Sequence, residues 1–117
     1  AESCVSMENL DSSIQSSLDQ QSCLVLPLDT FSSLFTAPYH IKVDIDGNES
    51  SFISGSTMVL GSELCKSLLI ELNTNSPDYD RLVNFIISLG FKLSFREKSS
   101  YGAHGANQNL INHIFSR

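Results

Sequence analysis

Asp44, Asp46 and Glu49 fall within six positions of one another, in the stretch Tyr39-His40-Ile41-Lys42-Val43-Asp44-Ile45-Asp46-Gly47-Asn48-Glu49. Carboxylates this close repel unless they are solvated, hydrogen-bonded or neutralised by a ligand or cation. A positioned carboxylate can orient an acceptor hydroxyl or take its proton. Asp44 and Asp46 are therefore the candidate catalytic residues, and Glu49 a candidate substrate contact. A solvated turn with a helix-start carboxylate fits the same residues, and the pattern alone leaves both readings open.

Three further residues join the list of candidate substrate contacts. Glu71 and Asn73 end the apolar run Lys66–Asn73, so a parallel neighbour would bring them beside the acidic turn. His104 lies in Gly102-Ala103-His104-Gly105, a loop sequence, and loops near a crevice often carry substrate contacts. His40 and His113 lie within strand-like segments and read as structural. None of the three histidines has zinc-site spacing, and no metal ligand is assigned. Gly47 follows Asp44 too closely for an EF-hand loop. The Asp44-x-Asp46 pair also resembles that of metal-dependent nucleotide-sugar transferases, a weak pattern kept as an alternative. No nucleophile elbow, phosphate loop or G-x-G-x-x-G occurs.

The elements that must position these groups follow from periodicity. His40 to Ile45 alternates polar and apolar residues, which predicts a strand with Lys42, Asp44 and Asp46 on one face. Gly47 allows a sharp turn, and Asn48-Glu49 suits a helix start. Ligands of open α/β sheets sit outside the carboxyl ends of strands, where this turn would lie. Asn48–Leu60 predicts a helix weakened by Gly55. Lys66–Asn73 predicts a strand whose Leu68-Leu69-Ile70 centre suits burial on both faces. Pro77–Leu89 predicts a helix, with Ser76 as N-cap, an apolar stripe of Leu82, Phe85, Ile86 and Leu89, and Gly90 as its stop. Phe91–Arg96 and Leu110–Ser116 predict two strands that pair antiparallel, since no helix separates them. Upstream, Ser22–Leu28 predicts a short edge strand limited by Pro27. Leu28–Phe35 has helical apolar spacing, with Asp29 in its first turn. Alternating strands and helices argue for an α/β fold with a mostly parallel sheet and helical crossovers.

The chain has 117 residues, 41% of them hydrophobic and 17% charged, which fits one small globular domain or part of a larger one. Residues 1–21 are serine-rich and lack Lys and Arg, so they read as a polar arm ahead of a domain spanning 22–117. The net charge of −6, with scattered basic residues, argues against a nucleic acid or an anionic membrane as partner. No apolar run is long enough to span a bilayer, and no signal pattern opens the chain. Cys4, Cys23 and Cys65 lack C-x-x-C spacing and read as three reduced thiols, which predicts a cytoplasmic protein.

Taken in order, Leu26-Pro27-Leu28-Asp29-Thr30-Phe31, His40 to Gly55, Leu68-Leu69-Ile70-Glu71-Leu72-Asn73 and Leu82 to Leu93 resemble the C-terminal half of FkbM-type S-adenosylmethionine-dependent methyltransferases. The block from Lys42 to Glu49 is the strongest part, and Ser12-Ser13-Ile14 is similar to a segment just upstream in that family. The resemblance implies the C-terminal half of a Rossmann-like methyltransferase sheet, strands four to seven, with the last antiparallel. It implies S-adenosylmethionine as cofactor and methyl transfer to a hydroxyl of a sugar or secondary metabolite. It puts Asp44 at the active crevice, Asp46 and Glu49 on its edge, and Glu71 on the adjacent strand end. The family's glycine-rich cofactor loop and its acidic ribose-binding residue have no counterpart in this sequence. Cofactor-binding residues are therefore unassigned, and the chain reads as a fragment of a larger enzyme or an incomplete, inactive relative. A non-catalytic α/β interaction module, pairing with a second copy through an open sheet edge, is the other alternative.

Overall fold

The structure is a computed structural model that describes residues 20–98 and 109–117. The arm over residues 1–19 and the loop around His104 lie outside the described residues. A 3-10 helix at Leu28–Leu34 precedes β1 (Tyr39–Val43), α1 (Glu49–Ser54), α2 (Thr57–Gly61), β2 (Cys65–Asn73), α3 (Tyr79–Ser88), β3 (Lys92–Lys98) and β4 (Leu110–Ser116). The four strands form one mixed sheet in the order β1-β2-β4-β3. β1 and β2 are parallel, with Val43 opposite Ile70. β4 runs antiparallel to both β2 and β3. β1, β2 and β3 thus share one direction and only the last strand opposes them. Chain order alone did not indicate that β4 inserts between β2 and β3.

The sheet is α/β in class, but its two faces are unequal. On β2, Leu68, Ile70 and Leu72 are buried, whereas Ser67, Leu69 and Glu71 are half-buried. The buried face gathers Val43, Phe115 and the inward residues of the helices: Ile53, Leu60, Leu82 and Ile86. The expected two-sided burial of Leu68-Leu69-Ile70 is therefore corrected. Leu69 points to a face that the described elements only partly cover.

Two helices replace the single one expected over Asn48–Leu60. α1 stops at Gly55, whose N–H bonds back to Ser51 and Phe52. α2 then starts afresh because Asp29 binds its first turn. Asp29 Oδ1 accepts from the Val59 amide (2.9 Å), and Oδ2 accepts from the Met58 amide (3.0 Å) and the Thr57 hydroxyl (3.2 Å). These are amides that a helix leaves without internal partners. Asp29 was expected to serve its own helix. Instead it fastens the 3-10 helix to α2, and its amide donates to the Gly55 carbonyl (2.9 Å).

The short strand expected at Ser22–Leu28 is not present. The segment forms no strand among the described residues, and Leu24 is 82% exposed. Ser76 is likewise not the cap of α3. The helix is preceded by Asp78, while the Ser76 hydroxyl accepts from the Asp78 amide (3.3 Å) in the approaching turn. Gly90 does stop α3, with φ at +104° and its amide on the Ile87 carbonyl.

The expectation of three reduced thiols is also corrected. Cys23 is disulfide-bonded, and Cys65 is a free, buried thiol whose pKa burial pushes up. Counting cysteines could not distinguish these states, and the cytoplasmic location loses the support it drew from them. Among the described residues, no helix is long and apolar enough to cross a membrane.

Candidate functional site

β1 ends at Val43, so the alternation that seemed to carry Asp44 and Asp46 along the strand stops one residue before them. Both aspartates lie exposed in the turn between β1 and α1. They are not the strand-face pair that period two predicted. Ile45, between them, turns inward and packs against the core. One apolar anchor between two exposed carboxylates is what fixes this turn.

Gly47 takes a positive φ of +86°. Its amide donates to Glu49 Oε1 at 3.3 Å, so the carboxylate that opens α1 reaches back over the turn. This resembles half of a capping box, with the glycine amide in place of a cap residue. Asn48 occupies the cap position but makes no side-chain capping bond.

Parallel pairing brings the end of β2 alongside. Asp44 follows Val43 and Glu71 follows Ile70, and those two residues are register partners. Glu71 is half-buried on the less covered face, opposite Asn112 of β4. Asn73 ends the strand, and its Oδ1 accepts from the Asn75 amide (2.9 Å). That side chain closes the turn into α3, a structural task that the sequence did not reveal. His104 lies outside the described residues. His40 is exposed, with Nδ1 against the Ser67 hydroxyl (2.6 Å), and His113 is buried.

The sequence reading missed two features here. Arg81 of α3 donates through Nη2 to Ser50 Oγ (3.0 Å) and pairs with Asp78 (3.4 Å). A cation therefore stands one residue from Glu49. An arginine two residues into a helix carries no signal that it will cross to another helix. The second feature is an open apolar groove of about 650 Å³ beside the turn. Leu24, Val25 and Pro27 form one wall, and Ile45, Asn48 and Phe52 the other. The run Leu24-Val25-Leu26 was the available signal, but it was assigned to a strand.

Chemically, the turn after β1 offers exposed carboxylates, and its Ile45 and Asn48 also line the apolar groove. That arrangement can bind a hydroxyl and hold its proton while an adjacent apolar part is desolvated. Among the described residues, no three or more His, Cys, Asp or Glu side chains group in a way that could hold a metal ion. Comparison with protein families, with curated proteins and with solved structures finds no match for this chain.

Proposed function

We propose that this chain forms the acceptor side of an S-adenosylmethionine-dependent methyltransferase acting on a hydroxyl of a sugar or secondary metabolite. The observation that carries the reading is the acidic turn Asp44–Glu49, with Asp44 and Asp46 exposed and Glu49 half-buried, at the carboxyl end of β1 beside its parallel neighbour β2. Ligands of open α/β sheets bind at that end. The sheet adds support. Three co-directional strands followed by one reversed strand agree with strands four to seven of the FkbM-type sheet that the sequence resembles.

The residues present suit the acceptor better than the cofactor. The turn supplies carboxylates, which accept protons from hydroxyls. Among the described residues, no glycine-rich loop follows a strand, so the described residues alone do not build the cofactor's cradle. When bound, the cofactor would supply an electrophilic methyl group. The part assigned to this chain is to align the acceptor hydroxyl and to take up its proton, with Asp44 the first residue to test and Asp46 the second.

The test is methyl transfer by the enzyme that contains this chain, measured with a labelled methyl donor. Asp44→Asn removes the charge and keeps the shape. The expected result is a kcat reduced at least about 100-fold, the usual scale for a positioned acid–base group, with the unfolding midpoint unchanged. Full turnover by a folded variant would remove Asp44 from the mechanism.

A further inference from the structure

His113 lies in the middle of β4 with no exposed surface. Its Nδ1 lies 2.8 Å from the Ile111 carbonyl, which can only accept, so Nδ1 carries the proton. Nε2 is left with its lone pair, and it lies 2.7 Å from the Tyr79 hydroxyl. The hydroxyl therefore donates to the imidazole. Tyr79 is the first residue of α3, so this bond pins the start of the helix to the centre of the sheet. Two residues on, Arg81 reaches Ser50 in α1, next to Glu49. The same turn of α3 thus holds the sheet with one side chain and the helix behind the acidic turn with another.

Protonation would turn Nε2 from acceptor into donor, facing a hydroxyl that already donates. The hydroxyl would have to rotate its proton away, and a charge would remain buried. Among the described residues, no neighbouring element offers a carboxylate to balance that charge. β2 presents Ile70, with Glu71 on its opposite face, and β3 presents Arg96, a second cation. β4 itself presents the Phe115 ring, stacked at 6.1 Å. Asp78 and Asp80, which flank Tyr79 on α3, are exposed. Burial accordingly holds the His113 pKa below its ordinary value. The Ile111 hydrogen bond opposes that shift, and Arg96 adds to it.

We propose that the Tyr79–His113 hydrogen bond is an acid-sensitive latch: charging the imidazole frees the first turn of α3, and with it the hold of Arg81 on α1, while the sheet stays folded. The latch stands on this geometry and does not depend on the methyltransferase reading.

Hydrogen exchange on the whole chain between pH 8 and pH 5, read at the Tyr79 and Leu82 amides, tests it. These amides bond to the Ser76 and Asp78 carbonyls. If opening exposes His113 to protonation, the open population rises by up to about tenfold per pH unit below the free imidazole pKa of about 6.5. The β2 and β4 amides keep their protection over that range. His113→Gln, whose amide oxygen can accept from Tyr79 but cannot charge, abolishes the extra pH dependence. If that variant does not fold, Tyr79→Phe keeps the ring and removes the donor, and the Leu82 amide is then expected to lose protection already at pH 7.5. Nitrogen NMR of the ring at pH 7.5 should find Nε2 unprotonated. Opening that is independent of pH, or that occurs only together with the whole sheet, overturns the latch. So does a proton found on Nε2, or unchanged protection in Tyr79→Phe.

Discussion

At the amino end of β2, Arg117 donates to the backbone carbonyls of Leu60, Cys65 (2.8 Å) and Leu89 (2.9 Å), and its guanidinium lies 4.1 Å from the centre of the Phe91 ring. At the carboxyl end, Asp44, Asp46, Gly47 and Asn48 lie exposed, and Glu49 Oε1 accepts only a 3.3 Å bond from Gly47. The contrast follows from what each end has to satisfy. α2 and α3 finish at the amino end, and a helix leaves its last carbonyls unpaired and partly negative. One guanidinium, with five donors in a fixed fork, answers carbonyls from both helices and from β2. Among the described residues the carboxyl end shows no comparable collector, and Asp46, Gly47 and Asn48 lie exposed there. The fastening by Arg117 and the candidate site thus lie at opposite ends of the same strands.

Removing the clasp should have the largest effect. Arg117→Ala loses three charge-assisted bonds and the contact with Phe91, for a cost of about 2–4 kcal/mol after partial replacement by water. Urea unfolding of the whole chain measures it. Arg117→Lys should recover less than half, because an ammonium cannot fork to three carbonyls. A cost below about 1 kcal/mol for the alanine variant would show that the amino end is not where stability is concentrated.

Gly90→Ala sharpens the same point. Gly90 has φ at +104°, and an added Cβ would lie 2.3 Å from Arg117 Nη1. The variant should lose about 1–2 kcal/mol from the left-handed backbone, plus whatever the displaced guanidinium contributed. A double-mutant cycle separates the two. In the Arg117→Ala background, Gly90→Ala should cost only the backbone part, so the two changes together cost less than their sum. Additive costs would mean that Arg117 can move without losing its carbonyls.

Legibility in the sequence also divided along these lines. Periodicity located α3, β3 and the full extent of β4 at Leu110–Ser116; a buried apolar face decides α3 and β4, whereas β3 alternates along its length but is exposed throughout. It paired β3 with β4 correctly. It failed where partners come from far along the chain. The alternation from His40 to Ile45 ran past the true strand end at Val43, because β1 leaves the ladder opposite Ile70 while β2 runs on to Asn73, and a side-chain pattern does not show where pairing stops. Ser22–Leu28 reads like a strand but joins no sheet among the described residues. The break between α1 and α2 depends on Asp29, and the amino-end clasp depends on the last residue of the chain. The site was legible as a cluster of carboxylates on a turn. Its flanks were not: Arg81, the apolar groove and the latch at His113 arise from packing between elements.

Gly47→Ala is the smallest expected effect and completes the comparison. Gly47 also has a positive φ, +86°, but no atom lies within 4 Å of an added Cβ. The substitution should therefore cost only the backbone part, about 1–2 kcal/mol, with no clasp to disturb. Its stability cost should equal that of Gly90→Ala measured in the Arg117→Ala background, since both then report a left-handed residue in open space. The functional outcome should differ. Relaxing Gly47 out of the left-handed region would move its amide away from Glu49 and re-aim Asp44 and Asp46 relative to β2. If the methyltransferase reading holds, turnover should then fall by more than the stability loss explains. If stability falls by more than about 2 kcal/mol while turnover is unchanged, the carboxyl end is a structural turn and the division between the two ends does not hold.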